Sequence, residues 1–337
     1  MRSLLERGLH RIWYGGHRAY LLLLPFSWLY GGVIALRRAL YRIGLLPSFS
    51  AGCPVVIVGN LTTGGSGKTP LVIWLVKRLS AMGLKPGVAS RGYGGAGGPV
   101  PLSVNSECDP LIVGDEPLLI AKRTGAAVAV ARDRVAAARH LASQGVDIVV
   151  CDDGLQHYKL RRDLEILVID GQRRLGNRRL LPAGPLREPP SRLGTVDVVI
   201  NNSGSPTGSE LAMTLTATEI VNLSNGNRRA IDSLAGENWH ALAGIGNPER
   251  FFSFLEGKKI FLTRHVHSDH ARLGRGDVVF TDSLPVLMTE KDAVKCTGFA
   301  PANCWYLPVN VDFEDSGEDL VQLIKKRCHL TAMETTR

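Results

Sequence analysis

The stretch Val55–Leu75, VVIVGNLTTGGSGKTPLVIWL, constrains the fold of this chain more than any other. Four β-branched residues, Val55, Val56, Ile57 and Val58, run into a glycine-rich bend ending in Gly67-Lys68-Thr69, and an apolar segment with helical spacing follows. That order predicts strand, phosphate-binding loop and helix. Glycines let backbone N–H groups turn inward around phosphate oxygens, and the helix N-terminus adds partial positive charge. Lys68 can reach β- and γ-phosphates, and the Thr69 hydroxyl can sit on Mg2+. The residues expected to hold the nucleotide are Thr62, Thr63, Gly64, Gly65, Ser66, Gly67, Lys68 and Thr69. Thr62 departs from the strict G-x-x-x-x-G-K-[ST] pattern, which has glycine there. A Gly/Ser linker before a helix fits the composition, but not the flanking strand or the Lys68-Thr69 pair.

A length of 337 residues suits about two domains, and 45% hydrophobic residues suffice for a packed core. The net charge of +9 permits nucleic acid, anionic lipid or phosphorylated partners without choosing among them. Six scattered cysteines without a C-x-x-C pair predict free thiols in a reducing compartment. Ala19–Leu36 is an uncharged run of 18 residues between Arg11 and Arg18 upstream and Arg37, Arg38 and Arg42 downstream. It is too long for a secretory signal, and no small-residue cleavage site follows. It sits at the lower limit for a bilayer span, about 20 residues, and Pro25, Gly31 and Gly32 weaken it as one. Tyr20, Trp28 and Tyr30 with flanking arginines suit a helix at the interface, so membrane attachment is expected, spanning or lying flat. A buried core helix is the competing account.

Beyond the loop, strands alternate with helices, which predicts a parallel sheet covered on both faces. Polar motifs fall at the carboxyl ends of the expected strands, where ligands collect in such sheets. Around Asn201–Ser209 the composition turns to Asn, Ser, Gly and Pro, and Leu211–Val221 with Arg228–Ile231 read as a β ribbon about Asn225-Gly226-Asn227. The expected organisation is an N-terminal helical segment (1–45), a core α/β domain (46–205), a β-ribbon linker (206–235) and a smaller C-terminal α/β domain (236–330).

Asp152 and Asp153 follow an apolar strand, the place for a Mg2+-associated carboxylate, with Gln156 and His157 supplying polar groups beside them. Paired carboxylates there can instead cap a helix, and Asp115, ahead of Pro117, taken alone reads as a plain N-cap. Arg91, Arg132, Arg134 and Arg187 stand singly as solvated charges, yet phosphoryl transfer needs several fixed cations. The Arg187-Glu188 pair closes a proline-rich loop. His265, His267, Asp269 and His270 spell H-x-H-x-D-H, a spacing that resembles the dinuclear motif of metallo-β-lactamase-like hydrolases. Such a zinc site needs further downstream ligands, and only His329 follows. His270 with Asp269 fits better as part of a phosphoryl-transfer site contributed by the second domain.

Taken together these motifs resemble the tetraacyldisaccharide 4′-kinase family of Gram-negative bacteria. The resemblance rests on VGNLTTGGSGKTP (58–70), SRGYGG (90–95), GDEP (114–117), ARDR (131–134) and DDGLQH (152–157). It continues through IDGQRRLGNRRLLPAGPLRE (169–188), ALAGIGNPERFF (241–252), SDH (268–270) and MTEKDAVKC (288–296), in family order, and Thr62 belongs to the family's form of the loop. It implies a P-loop NTPase-type core, a smaller C-terminal α/β domain and a two-stranded linker. It also implies Mg2+-dependent transfer of the γ-phosphoryl group of ATP to the 4′-hydroxyl of an acylated glucosamine disaccharide 1-phosphate in lipid A biosynthesis. Lys68 and Thr69 then hold phosphate and Mg2+, Asp152 and Asp153 form the metal-side pair, and Asp115 is the base partnered by His270. Arg91, Tyr93, Arg132, Arg134, Gln156, His157, Arg187 and Glu188 serve substrate or transition state. His265 and His267 lie outside the family pattern. The implied setting is the cytoplasmic face of the inner membrane, with neither nucleic acid nor an obligate protein partner. Closure of the two domains is expected to assemble the base. A P-loop switch GTPase is the main competing class. It should carry N-K-x-D, whereas the nearest segment, Thr289-Glu290-Lys291-Asp292, lacks lysine in second place.

Overall fold

The computed structural model describes residues 2–330 apart from Tyr93, Gly94, Ala96, Gly97, Pro99 and Asp315. Two helices, α1 (Arg2–Tyr14) and α2 (Tyr20–Arg42), come first. From Tyr20 onward the uncharged run Ala19–Leu36 lies in α2, which continues to Arg42 and passes through Pro25. The missing N–H of that proline forfeits one backbone bond. Then β1 (Val55–Gly59) leads through the glycine loop into α3 (Lys68–Ala81). There follow β2 (Pro86–Ser90), β3 (Leu102–Val104), the single-turn α4 (Pro110–Val113), α5 (Asp115–Thr124), β4 (Ala127–Val130) and α6 (Arg134–Ser143). Next come β5 (Ile148–Asp152), β6 (Leu164–Asp170), β7 (Val198–Asn202) and β8 (Leu211–Thr216).

A second unit holds β9 (Glu219–Asn222), β10 (Arg228–Ala230), β11 (Asn238–Ala243), α7 (Pro248–Gly257), β12 (Phe261–Val266), β13 (Val286–Thr289), α8 (Glu290–Cys296) and β14 (Cys304–Leu307). After it come β15 (Asn310–Asp312) and α9 (Gly317–Arg327). The described strands make a nine-stranded sheet, β15-β8-β7-β6-β1-β5-β2-β4-β3, and a six-stranded sheet, β10-β9-β14-β13-β11-β12. From β8 to β4 the first sheet is parallel, with antiparallel β15 and β3 at its edges. Strand β1 is central, and its alternate residues serve two cores. Val56 and Val58 pack with Leu71 and Leu75 of α3, while Val55 and Ile57 pack with Leu141 of α6. Burial on both faces is why this strand reads as an unbroken apolar run.

Two expected boundaries differ from the structure. Leu211–Thr216 does not belong to a free ribbon but pairs in parallel with β7, and Met213 is buried in the first core. The ribbon proper is β9 with β10, and β9 also joins β14 of the second sheet. At the other end, residues 310–327 return to the first unit. Strand β15 pairs with β8, and Phe313, Leu320, Ile324 and Cys328 are buried in the first core. The Phe313 ring lies 4.7 Å from that of Trp74 on α3. The second unit is therefore inserted between two crossings, near 217–218 and 308–309, and does not reach residue 330.

Candidate active site

The phosphate loop takes its shape from glycine at two places. Gly64 and Gly67 have φ of +99° and +93°, values side chains resist, and a Cβ on Gly67 would lie 2.3 Å from Asn202 Nδ2. Asn202, at the end of β7, donates to the Ser66 carbonyl at 2.9 Å and so fixes the bend. The Asn60 amide spans the loop to the Gly64 carbonyl at 3.2 Å, and Gln156 donates to the Asn60 carbonyl at 3.3 Å. On one side the segment Leu180–Arg187 braces the loop, with Thr63 N donating to Pro185 O at 2.9 Å and Arg187 N to Leu61 O at 2.7 Å. Opposite it the second unit closes in: a Cβ on Gly246 would come within 2.4 Å of Gly65 N. Arg250, on α7, donates to Asn202 Oδ1 at 3.1 Å. Sequence reasoning gave Asn202, Gly246 and Arg250 no role, because their partner is a loop far away along the chain.

Asp152 ends β5 directly beside Val58 of β1. Both its carboxylate oxygens are buried without a hydrogen-bond partner, as are the Thr63 and Ser66 hydroxyls. Burial, and after it the nearby Glu116 carboxylate, push Asp152 up to about 7. A desolvated carboxylate with open lone pairs is an oxygen donor of the kind that suits Mg2+. Asp153 behaves differently. It sits at φ +51°, 3.5 Å from Lys68 Nζ and 2.9 Å from Arg187 Nη1. Burial alone would raise its pKa, but Lys68 and Arg187 hold the carboxyl well below the usual range.

Arg134, buried in the first turn of α6, points Nη2 to the Asp153 carbonyl at 3.5 Å. Its helix starts where it does because Asp133 caps it, accepting from Val135 N at 2.9 Å. His157 Nε2 lies 3.5 Å from Asp133. Burial first, and Arg134 second, bring that imidazole down to about 4, so near pH 7 it is neutral and the contact is no ion pair. Arg91, after β2, and Arg132, before α6, are both exposed at the same edge. Tyr93 lies outside the described residues. The Glu188 carboxylate is completely buried between Tyr158 and Arg192, and its backbone adjoins Arg187.

A second centre stands where the two units meet. Gly114, with φ +91°, turns the chain so that Asp115 opens α5 with its carboxylate buried. From the second unit His270 presents Nδ1 at 2.9 Å from Asp115 Oδ1 and 3.2 Å from Oδ2. His270 itself has φ +58°, a left-handed backbone that a non-glycine residue adopts at some cost. Lys291 adds its ammonium, 2.9 Å from Glu116, 3.0 Å from Asp269 and 3.3 Å from His270 Nε2. Burial pulls Asp115 upward, yet His270, Lys291 and Lys295 together hold it below its ordinary value. For His270, burial opposes the charged form, but the Asp115 hydrogen bond raises the imidazole. The other histidines go elsewhere. His265 bonds His240 at 3.0 Å and stacks on Phe280, and His267 lies 3.9 Å from Asp277. The three histidines of the H-x-H-x-D-H string thus have three different partners.

A parallel sheet whose central strand feeds a glycine loop, with Lys68 at the loop and an open carboxylate on the adjacent strand, defines a P-loop nucleotide-binding protein. The family model for tetraacyldisaccharide-1-P 4′-kinase matches residues 19–329. The tetraacyldisaccharide 4′-kinase of Hamiltonella defensa is 48% identical over 95% of this chain and 98% of its own length. That of Methylobacillus flagellatus is 47% identical over 92% and 93%. A crystal structure of LpxK from Aquifex aeolicus in complex with ATP is 30% identical, with a TM-score of 0.76 over 91% of this chain and 99% of that one. This chain belongs to the tetraacyldisaccharide-1-P 4′-kinase family.

Proposed function

We propose that the chain acts as the family name describes, transferring the γ-phosphoryl group of ATP to the 4′-hydroxyl of an acylated glucosamine disaccharide 1-phosphate. The observation that carries this reading is the Asp115–His270 contact, 2.9 Å across the two units and at the same end of the sheet as the phosphate loop. A sugar hydroxyl is a poor nucleophile while protonated. Asp115 accepts its proton as the new oxygen–phosphorus bond forms and the bond to the β-phosphate oxygen breaks. His270 orients that carboxylate. Lys68 and the backbone of residues 62–69 hold the phosphates, while Arg187 and Arg134 face the charge that spreads over the transferred oxygens. Asp152 and Thr69 would hold Mg2+, with Asp153 on the Lys68 side. That ion, when bound, neutralises charge on the β- and γ-oxygens.

The acceptor is a lipid, and α2 offers a surface for it. Among the described residues α2 alone is long and apolar enough to cross a bilayer, and Leu22, Phe26, Trp28, Leu29 and Val33 on it are exposed. Its other side is anchored. Ser27 donates to the Leu180 carbonyl at 2.8 Å and Tyr30 to the Arg187 carbonyl at 3.0 Å. The membrane-facing helix and the segment bearing Arg187 are therefore joined, which favours a site at the inner-membrane surface on its cytoplasmic side. ATP-dependent phosphorylation of the disaccharide 1-phosphate in detergent micelles tests the function, and an inactive wild-type protein would refute it. For attachment, Leu22→Asp with Leu29→Asp, both on the exposed face, should release the protein from anionic vesicles in a sedimentation assay. Sedimentation unchanged from wild type means that another surface holds it.

A further inference from the structure

We propose that Lys291 is a positioning residue of this site: donating to His270 Nε2, it fixes the imidazole as the Nδ1–H tautomer aimed at Asp115. The inference rests on Asp115 being the base. Lys291 lies in the MTEKDAVKC stretch, in the first turn of α8. Its placement is built from the backbone up. Thr289 ends β13 and caps α8, accepting from Asp292 N at 3.2 Å, while Asp292 accepts from Gly244 N at 2.8 Å. The helix thus starts at a fixed place, and its second residue points across to the first unit. There the ammonium is mostly buried and meets Glu116 at 2.9 Å, Asp269 at 3.0 Å and His270 Nε2 at 3.3 Å, with Asp115 Oδ2 at 3.9 Å.

An ammonium has donors and no acceptor, so an approach to Nε2 requires a lone pair on that nitrogen. The ring proton then lies on Nδ1, where it donates to Asp115. A doubly protonated ring would set two donors against each other, so Lys291 opposes the imidazolium. Among the described residues, Asp115, Asp269 and Lys291 face His270 directly, while Glu116 pairs with Lys291 and Lys295 lies 4.0 Å from Asp115. The acids favour imidazolium and the lysines disfavour it. Loss of Lys291 tips this balance. An imidazolium would persist to higher pH, and beside it Asp115 becomes a weaker base.

The test uses the full-length enzyme in detergent micelles. Lys291→Met should lower kcat about tenfold or more at pH 7. The deficit should shrink toward pH 9, with KM for ATP within about twofold of wild type. Lys291→Arg, which keeps a donor and the charge, should keep the wild-type pH profile. A deficit equal at all pH values, or one carried by KM alone, overturns the proposal. The tautomer is also measurable without turnover, from ring 15N and 13C resonances of wild-type His270 assigned with His270→Gln. Nδ1–H is expected, and Nε2–H overturns the proposal. This readout decides even if Lys291→Met fails to fold. The expected tautomer in a wild-type protein without kinase activity would refute the functional reading and leave the positioning intact.

Discussion

The phosphate loop and the acid–base centre stand at the same end of one sheet but are made in opposite ways. The loop is one continuous stretch between β1 and α3, shaped by Gly64 and Gly67 and steadied by Asn202. The acid–base centre joins Asp115 on α5 to His270, 155 residues further on, and to Lys291 on α8. A loop closed by local turns can form as soon as its strand and helix pack. A contact between two units, such as that of Asp115 with His270, exists only while they are docked. The likeness between the two is strain: Asp153 beside the loop and His270 in the centre both take positive φ. The difference teaches that the second unit only braces the loop, through Gly246 and Arg250, whereas the Asp115–His270 contact does not exist without it.

The largest effect should come from breaking the centre. Asp115→Ala is expected to lower kcat by about 10²–10⁴, with KM for ATP little changed, because a positioned base contributes on that scale. His270→Ala should lower it too. The double variant should lose much less than the product of the two, since both act through one proton acceptor. Steady-state kinetics of the four proteins measures this; fully multiplicative losses would separate Asp115 from His270. A smaller effect of the opposite kind should come from the loop. In Gly67→Ala the new methyl meets Asn202, and a φ of +93° penalises any side chain. Thermal and denaturant unfolding should register roughly 1–2 kcal/mol of lost stability. KM for ATP should rise while the tautomer of His270 stays as in wild type. A Gly67→Ala protein that keeps wild-type KM would show that the loop tolerates a shape the contacts with Asn202 forbid.

The same contrast explains what was legible in the sequence. Residues 55–75 carry strand, turn chemistry and helix in one window, so the loop and the parallel α/β core could be read directly. Asp115 and His270 could be paired only through resemblance, because alone each looks like a helix cap or a surface histidine. The return of residues 310–327 to the first core was hidden, since a three-residue strand after Pro308 gives too short a pattern to say which sheet it joins. The surroundings of Glu188 were not legible either, because a charged residue beside Arg187 suggests an open carboxylate. Its carboxylate is instead enclosed with Arg192 and Tyr158, a partnership of side chains that no local pattern encodes. Lys291 was missed for a related reason. A lysine in the first turn of a short helix is ordinary until Glu116, Asp269 and His270 are placed around it.

The smallest expected effect concerns pH. The His270 imidazole is raised above its ordinary 6.5 in the folded protein, so its bond to Asp115 contributes stability fully below 6.5 and loses it as pH rises through the folded value. Asp115 is lowered below its ordinary 3.8, so its share is present above 3.8 and is lost as pH falls through the folded value. The docking contribution of the pair therefore peaks between about 4 and 6.5. Catalysis instead needs a neutral imidazole and should be fastest above that window. Comparing wild-type with His270→Gln, the difference in unfolding midpoint should be largest near pH 5–6, while kcat of the wild type should still be climbing there. Coincident pH maxima for the two quantities would mean that the charged pair is the catalytic form. The base would then be assembled by the same proton that docks the two units, and the separation between holding the units together and activating the hydroxyl would fail.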